Sequence, residues 1–165
     1  MSGARVSGGR ATPPVDLVLR RARRDDVADI VRLLADDVLG REREQPGPEV
    51  ADAYWRAFDA IDADPRQHLL VAESGGRVVG TLQVSFIPSL TFTGGERAQI
   101  EGVRVDAGVR GAGVGHEMVG WVVDEAARRG CRMVQLTTSE QRSEARRFYE
   151  TLGFTVTHLG MKRPL

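Results

Sequence analysis

A mixed α/β sheet with helices on both faces is the fold class this sequence predicts, on three observations. Apolar residues fall at helical spacing near the N-terminus, change to strand spacing through the middle, and then alternate between the two. Glycines and prolines punctuate those changes. A strand runs directly into a glycine-rich turn and a helix at Val103–Gly115. The chain has 165 residues, which suits one domain with one full-sized core.

Residues 1–15 are rich in Gly, Ser, Arg and Pro and carry no apolar run, which predicts a disordered tail and no secretory signal. Arg5 and Arg10 leave a transit peptide as the alternative. The folded domain is expected over 16–165. Val15–Arg21 alternates as a first strand, with Leu17 and Leu19 on one face. Asp25 or Asp26 is placed as an N-cap. Val27, Ile30, Val31, Leu34 and Val38 follow at helical spacing, and Gly40 stops the helix. Arg41–Pro48 is a charged loop. Glu49–Ala63 is a second helix carrying Tyr54, Trp55 and Phe58, ended near Asp64-Pro65.

The period then shortens. His68–Glu73 is a strand, Ser74-Gly75-Gly76 a hairpin turn and Arg77–Ile87 a longer strand. Pro88–Gly95 is a connection and Ala98–Val105 the next strand. A helix from Gly113 to about Arg129 buries Met118, Val119, Val122, Val123 and Ala126, and Gly130 closes it. Cys131–Leu136 is a strand, Ser143–Leu152 a short helix closed by Gly153, and Phe154–Leu159 a last strand.

Lys+Arg and Asp+Glu number 23 each, so the formal net charge is zero, which argues against nucleic acid as a partner. No apolar run approaches the ~20 residues of a membrane span. Cys131 is the single cysteine, so neither an internal disulfide nor a cysteine-built metal site is expected. His68, His116 and His158 lie in unrelated segments without ligand spacing, so no metal is expected. A soluble cytoplasmic protein fits these features.

Within Val103–Gly115 the glycines let the backbone approach an anion, and the first N–H groups of the following helix lack internal partners. Together they predict a phosphate site. A P-loop would need Gly-Lys-Ser/Thr where Gly115-His116-Glu117 stands. A dinucleotide fingerprint would need its third glycine one place later than Gly115, or a glycine at Met118. Glycines that merely close a tight turn are the plain alternative.

Arg110-Gly111-Ala112-Gly113-Val114-Gly115, after a V-x-V strand, resembles the acetyl-CoA signature of the GNAT superfamily, [Q/R]-x-x-G-x-[G/A]. Ala145-Arg146-Arg147-Phe148-Tyr149-Glu150-Thr151-Leu152-Gly153-Phe154 is similar to the family's second block, A-x-x-[F/L]-Y-x-x-L-G-F. The two blocks stand in the family's order, a helix and a strand apart, and the resemblance covers about 16 to 160. It implies a mostly antiparallel twisted sheet of six to seven strands with about four helices. It also implies an N-acetyltransferase that uses acetyl-CoA as cosubstrate.

The resemblance implies roles residue by residue. Main-chain groups of Val103, Arg104 and Val105 meet the pantetheine arm, with the Val103 N–H donating to the thioester oxygen. Arg110, Gly111, Ala112, Gly113, Val114 and Gly115 hold the pyrophosphate. Ala145 and Phe148 stand on the helix that closes over the arm, although Phe148 also suits the core. Many members carry Asn where Arg142 stands, so that contact differs here. Tyr149 is the expected general acid to the leaving thiolate, or a tyrosine packed on the arm. Gln99, Glu101, Val103 and Val105 alternate, which predicts a shared strand face. Glu101 is therefore nominated as the base, with an ammonium-binding role or an ion pair to Arg97 as alternatives. Asp36–Asp37 and Arg41–Glu44 read as a solvated helix end and loop, or as charges that attract a cationic acceptor, and Tyr54 and Trp55 as core or cleft wall. The expected acceptor is a small-molecule amine, decided by Leu39–Trp55 and Ile87–Arg97. A protein amine, or a non-catalytic acyl-CoA-binding module, are the alternatives. Many relatives pair through sheet edges or C-terminal strands, which makes a homodimer an expectation.

Overall fold

The computed structural model describes residues 13–14, 16–37, 40–47 and 49–165. The expected tail over 1–15, apart from Pro13 and Pro14, lies outside the described residues, and so do Val38, Leu39 and Pro48. The elements run β1 (Val18–Arg21), a 3-10 turn (Arg24–Asp26), α1 (Val27–Ala35), α2 (Asp52–Ala63), β2 (Gln67–Ser74) and β3 (Arg77–Ile87). There follow α3 (Thr91–Gly94), β4 (Arg97–Val105), a second 3-10 turn (Ala107–Val109), α4 (Val114–Arg128), β5 (Met133–Leu136) and α5 (Ser143–Thr151).

Among the described residues there are five strands and five α-helices, against an expected six to seven strands and about four helices. The expected strand over Phe154–Leu159 does not form. Its Val156 and Leu159 are exposed, so the alternation meets no sheet face to bury against. The added helix is α3, one turn inside the expected Pro88–Gly95 connection. Its Phe92 and Thr93 have φ of +52° and +60°, so the turn is left-handed.

The sheet order is β1-β2-β3-β4-β5. Neighbours from β1 to β4 are antiparallel, and β4 and β5 are parallel. β5 pairs with β4 only from Arg97↔Met133 to Ile100↔Leu136. One residue further along, β4 bulges. Glu101 faces Gln83 and Arg104 faces Thr81, so three steps along β4 oppose two along β3. Gly102 takes the left-handed conformation inside that bulge, φ +63°. The parallel pair therefore separates beyond Ile100 and Leu136, and a crevice opens at the strands' C-terminal ends.

Each sheet face has its own core. α4 lays Val114, Met118, Val119, Val122 and Ala126 on Leu70, Leu82, Val84, Phe86, Ala98 and Ile100. Val123, expected on that buried face, is 40% exposed, because it falls beside the apolar stripe. α1 and α2 cover the other face, where Val27, Ile30, Val31, Leu33 and Phe58 meet Val71 and Val78. Burying each such side chain contributes about 1.5–3 kcal/mol.

The placed N-cap Asp26 uses its carboxylate backwards. It accepts from the Arg23 N–H at 2.6 Å and from Arg20 Nη1 and Nη2 at 2.6 and 2.9 Å, which ties β1 to the start of α1. Arg20 first, then the Arg23 N–H, holds Asp26 below the usual carboxylate range. A depressed folded pKa stabilises above the unfolded value and loses that contribution as pH falls through the folded value. We expect Asp26→Asn to lower stability at pH 7 by about 1–3 kcal/mol. Urea midpoints measured on acidification below about pH 4 should fall less in the variant than in the wild type. Parallel curves would remove Asp26 from the acid response.

Candidate active site

The glycine turn begins where β4 ends. Asp106 fixes it by accepting from the Gly108 N–H at 3.0 Å and from Arg32 of α1 at the same distance. Those two donors, the Gly108 N–H first, hold its carboxyl below the usual range. Gly113 is the N-cap of α4, with φ +82°, and supplies no capping side chain. The first N–H groups of α4 are thus directed at the mouth of the crevice without a local acceptor. Gly111 is exposed, and a Cβ there would meet nothing within 4 Å. Arg110 turns away from the turn's centre. Its Nε donates to the Val105 carbonyl at 3.2 Å, and its Nη2 lies 3.3 Å from the Asp36 carbonyl and 3.5 Å from the Asp36 carboxylate.

α5 brings the second block onto the first. A Cβ at Gly115 would stand 3.1 Å from Phe148 Cζ, so the helix packs directly on the turn. An edge-on chain of rings continues from His116 to Phe148, Tyr149 and Phe154, with centroids 4.9, 5.0 and 5.8 Å apart. His116 stands on the first turn of α4. Its ring packs on Phe148, and its Nε2 is 3.3 Å from Thr151 Oγ1. Burial pushes the Tyr149 phenol up, and the positive charges of Arg104 and Arg142 pull against that shift. Phe148 packs against the α4-side core, as do Val103 and Val105. Ala145 is half-buried on the same helix as Phe148.

The expected shared face of Gln99, Glu101, Val103 and Val105 is broken by the bulge. Ala98 and Ile100 belong to the α4-side core, and so, past Gly102, do Val103 and Val105. Gln99 points the other way and accepts from Gln135 Nε2 at 2.7 Å. Glu101 is exposed beside the bulge, and among the described residues it forms no ion pair, with Arg97 or any other. Arg104 also leaves the α4 side and reaches the end of α1.

Arg104, expected at the pantetheine arm through its main chain, also forms a charged contact through its side chain. Asp37, just past α1, accepts from Arg104 Nη2 at 3.3 Å and from Arg142 Nη2. Arg142 thus spans from the start of α5 to the end of α1. Asp36 and Asp37 are arginine partners, not a solvated helix end. A run of isolated charges in sequence carries no signal for such distant pairing.

Other candidates fall outside the crevice. Tyr54 donates to Glu44 at 2.9 Å and accepts from the Gln45 N–H, pinning the loop before α2. Trp55 bonds the Val50 carbonyl at 3.1 Å, and both rings pack on the α1–α2 core. Burial, then Glu96, pushes the Cys131 thiol up, which disfavours a thiolate. Among the described residues no group of three or more His, Cys, Asp or Glu is placed to hold a metal ion. None of their helices is long and apolar enough to cross a membrane. An open groove of about 510 Å³ is lined by Arg32, Ala35, Asp36, Arg41 and Pro46 beside the turn.

Known proteins share this arrangement. The chain is 27% identical over 150 residues to an aminoalkylphosphonate N-acetyltransferase of Salmonella typhimurium, covering 89% of this chain and 90% of that protein. It is 32% identical over 158 residues to a glucosamine 6-phosphate N-acetyltransferase of Trypanosoma brucei brucei, covering 93% and 99%. A solved structure described as a transcriptional regulator from Bacillus halodurans superposes with a TM-score of 0.88 at 46% identity, covering 90% of this chain and 99% of that one. The family model described as acetyltransferase (GNAT) family matches residues 29–154, from the first turn of α1 to the residue that follows α5 and its closing glycine. The bulged strand, the glycine turn and the docked α5 all fall inside that match, and the chain belongs to the acetyltransferase (GNAT) family as an acetyl-CoA-dependent acyltransferase.

Proposed function

We propose that the protein transfers the acetyl group of acetyl-CoA to the primary amine of a small molecule, by direct attack while both are bound. The observation that carries this reading is the docking of Phe148 on Gly115, which sets α5, and with it the Tyr149 ring, against the glycine turn. The relatives named for an aminoalkylphosphonate and for glucosamine 6-phosphate act on small amines, which supports the acceptor class.

The residues present suit the cosubstrate. The uncapped start of α4 with the main chain of Arg110, Gly111, Ala112, Gly113, Val114 and Gly115 would hold the pyrophosphate, while the Arg110 side chain engages Val105 and Asp36. Main-chain groups of Val103, Arg104 and Val105 lie past the last β4–β5 pair, where an extended pantetheine arm can take β5's place. Ala145 and Phe148 would cover that arm, and the Val103 N–H would donate to the thioester oxygen. Arg142 pairs with Asp37, so we expect it not to reproduce the pantetheine contact that Asn makes in many family members.

Acetyl-CoA supplies an acyl group already activated as a thioester. An alkylammonium has a pKa near ~10, so the acceptor must first lose a proton. We assign Glu101 to that ammonium, as its base or its counter-ion; it is exposed on the strand that carries the Val103 donor. The amine nitrogen then bonds to the acetyl carbon and the carbon–sulfur bond breaks. Tyr149 gives its proton to the departing sulfur. A phenol pushed up by burial stays protonated at neutral pH, which suits an acid.

Three variants test these roles. Tyr149→Phe should lower turnover by more than ~10-fold with little change in acetyl-CoA affinity. Unchanged turnover, with the chemical step shown to limit the rate, would take Tyr149 out of the mechanism. Gly113→Asp places a side chain and a negative charge at the anion end of α4, and calorimetry should then detect no acetyl-CoA binding; retained affinity would sink the pyrophosphate assignment. Glu101→Gln should remove the acidic limb of the pH–rate profile if Glu101 takes the proton. A profile of unchanged shape with a raised KM for the amine makes it the counter-ion.

A further inference from the structure

Arg104, Asp37 and Arg142 meet where α1, β4 and α5 converge. Two guanidinium groups bond one oxygen of one carboxylate, so the cluster holds one more positive charge than negative. Its neighbours do not cancel that excess. Arg43 adds to the positive field at Arg104, its own guanidinium engages Glu44, and Arg110 takes Asp36. The Arg104 side chain is only 12% exposed, and its Nε is buried without a hydrogen-bond partner among the described residues. Burial, with Arg142 beside it, holds the guanidinium below its usual value despite Asp37. A buried cation with an idle donor is an unfavourable arrangement for structure alone.

The bulge decides which face of the sheet the cluster occupies. The Gly102 bulge sends Val103 and Val105 towards α4 and Arg104 towards α1, on the sheet face opposite the α4-side core. The Tyr149 phenol lies within the electrostatic reach of both arginines. An anion on these guanidinium groups would therefore be felt at the Tyr149 phenol.

We propose that Arg104 and Arg142 form a receptor for a phosphate or phosphonate group on the acceptor amine, with Asp37 as its built-in stand-in. This rests on the acetyl-transfer reading above. A planar carboxylate is already present and leaves Arg104 Nε unpaired. A group with three terminal oxygens has an acceptor for that Nε as well as for each Nη2.

The test is thiol release from acetyl-CoA with three amines of similar length: 2-aminoethylphosphonate, β-alanine and propylamine. The expected kcat/KM for the phosphonate exceeds that for propylamine by about 100-fold or more, with β-alanine between them. Arg104→Gln and Arg142→Gln should each lower the phosphonate-to-propylamine ratio by about tenfold or more, mainly through KM. Any effect on acetyl-CoA falls on both amines and cancels in the ratio. Arg142 is the more exposed of the two, so its variant keeps the test open if Arg104→Gln does not fold. Equal rates for phosphonate and propylamine overturn the receptor and leave acetyl transfer standing. A preference for β-alanine overturns the phosphorus assignment, and a ratio unmoved in both variants overturns the residues. If no amine releases thiol, the acetyl-transfer reading fails. Calorimetry of 2-aminoethylphosphonate with CoA-loaded protein then decides the receptor: binding weakened in both variants supports it, and no binding to the wild type overturns it.

Discussion

One extra residue in β4 shapes the functional end of the molecule. Between Glu101 and Arg104 that strand takes three steps against two in β3, and Gly102 accommodates the surplus with a positive φ. A bulge leaves backbone groups unpaired and bends its strand. Here it falls one residue past the last β4–β5 partner, Ile100 with Leu136. The parallel pair cannot close beyond that point, so backbone donors at Val103 and Val105 face a crevice instead of a neighbouring strand. A regular β4 would have buried those donors in a ladder. It would also have left Arg104 on the α4 face and the valines on the α1 face.

The crevice has two walls, held by different forces. On the α4 side the contact is apolar. Val114 is buried in the main core, Phe148 covers Gly115, and the ring chain from His116 to Phe154 fixes α5. Edge-to-face ring pairs add about 0.5–1.5 kcal/mol each beyond their burial. On the α1 side the contact is ionic, through Arg32 to Asp106, Arg110 to Asp36, and Arg104 with Arg142 to Asp37. All three link α1, or the residues just past it, to β4, the glycine turn or α5. The apolar wall is suited to permanence. Partly exposed ion pairs contribute about 0–1 kcal/mol each and can exchange partners with an anion.

What could be read from the sequence follows from the range of the interactions. Local rules found the glycine turn, because Gly113 needs its left-handed N-cap whatever surrounds it. Periodicity found α1, α4 and the two long strands, since their buried faces are wide. Sequence order placed Tyr149 on a helix that returns to the turn, through the family resemblance and not through spacing. The misses are non-local. Strict alternation put Glu101 and Val103 on one face, and only the β3 register reveals the added residue between them. Phe154–Leu159 has a strand's alternation, but a strand requires an edge to pair with. The side-chain pairing of Arg104 carried no signal because Asp37 and Arg142 are distant in the chain and meet it only after three elements have packed.

The ionic wall also explains how a chain of zero net charge can present a locally positive site. Its 23 basic and 23 acidic residues balance overall, yet Arg104 is buried where solvent screens it least. Burying a lone guanidinium is strongly unfavourable, and an internal carboxylate offsets much of that cost. Asp37 does so for Arg104 and Arg142 together, which leaves an excess of one positive charge and one unbonded Nε. An anion entering the proposed receptor would meet two guanidinium groups already held together by one carboxylate. It needs to reorganise one carboxylate at the end of a helix, and not a shell of water. Electrostatic selection of the acceptor and positioning of its amine near Tyr149 would then be the same event.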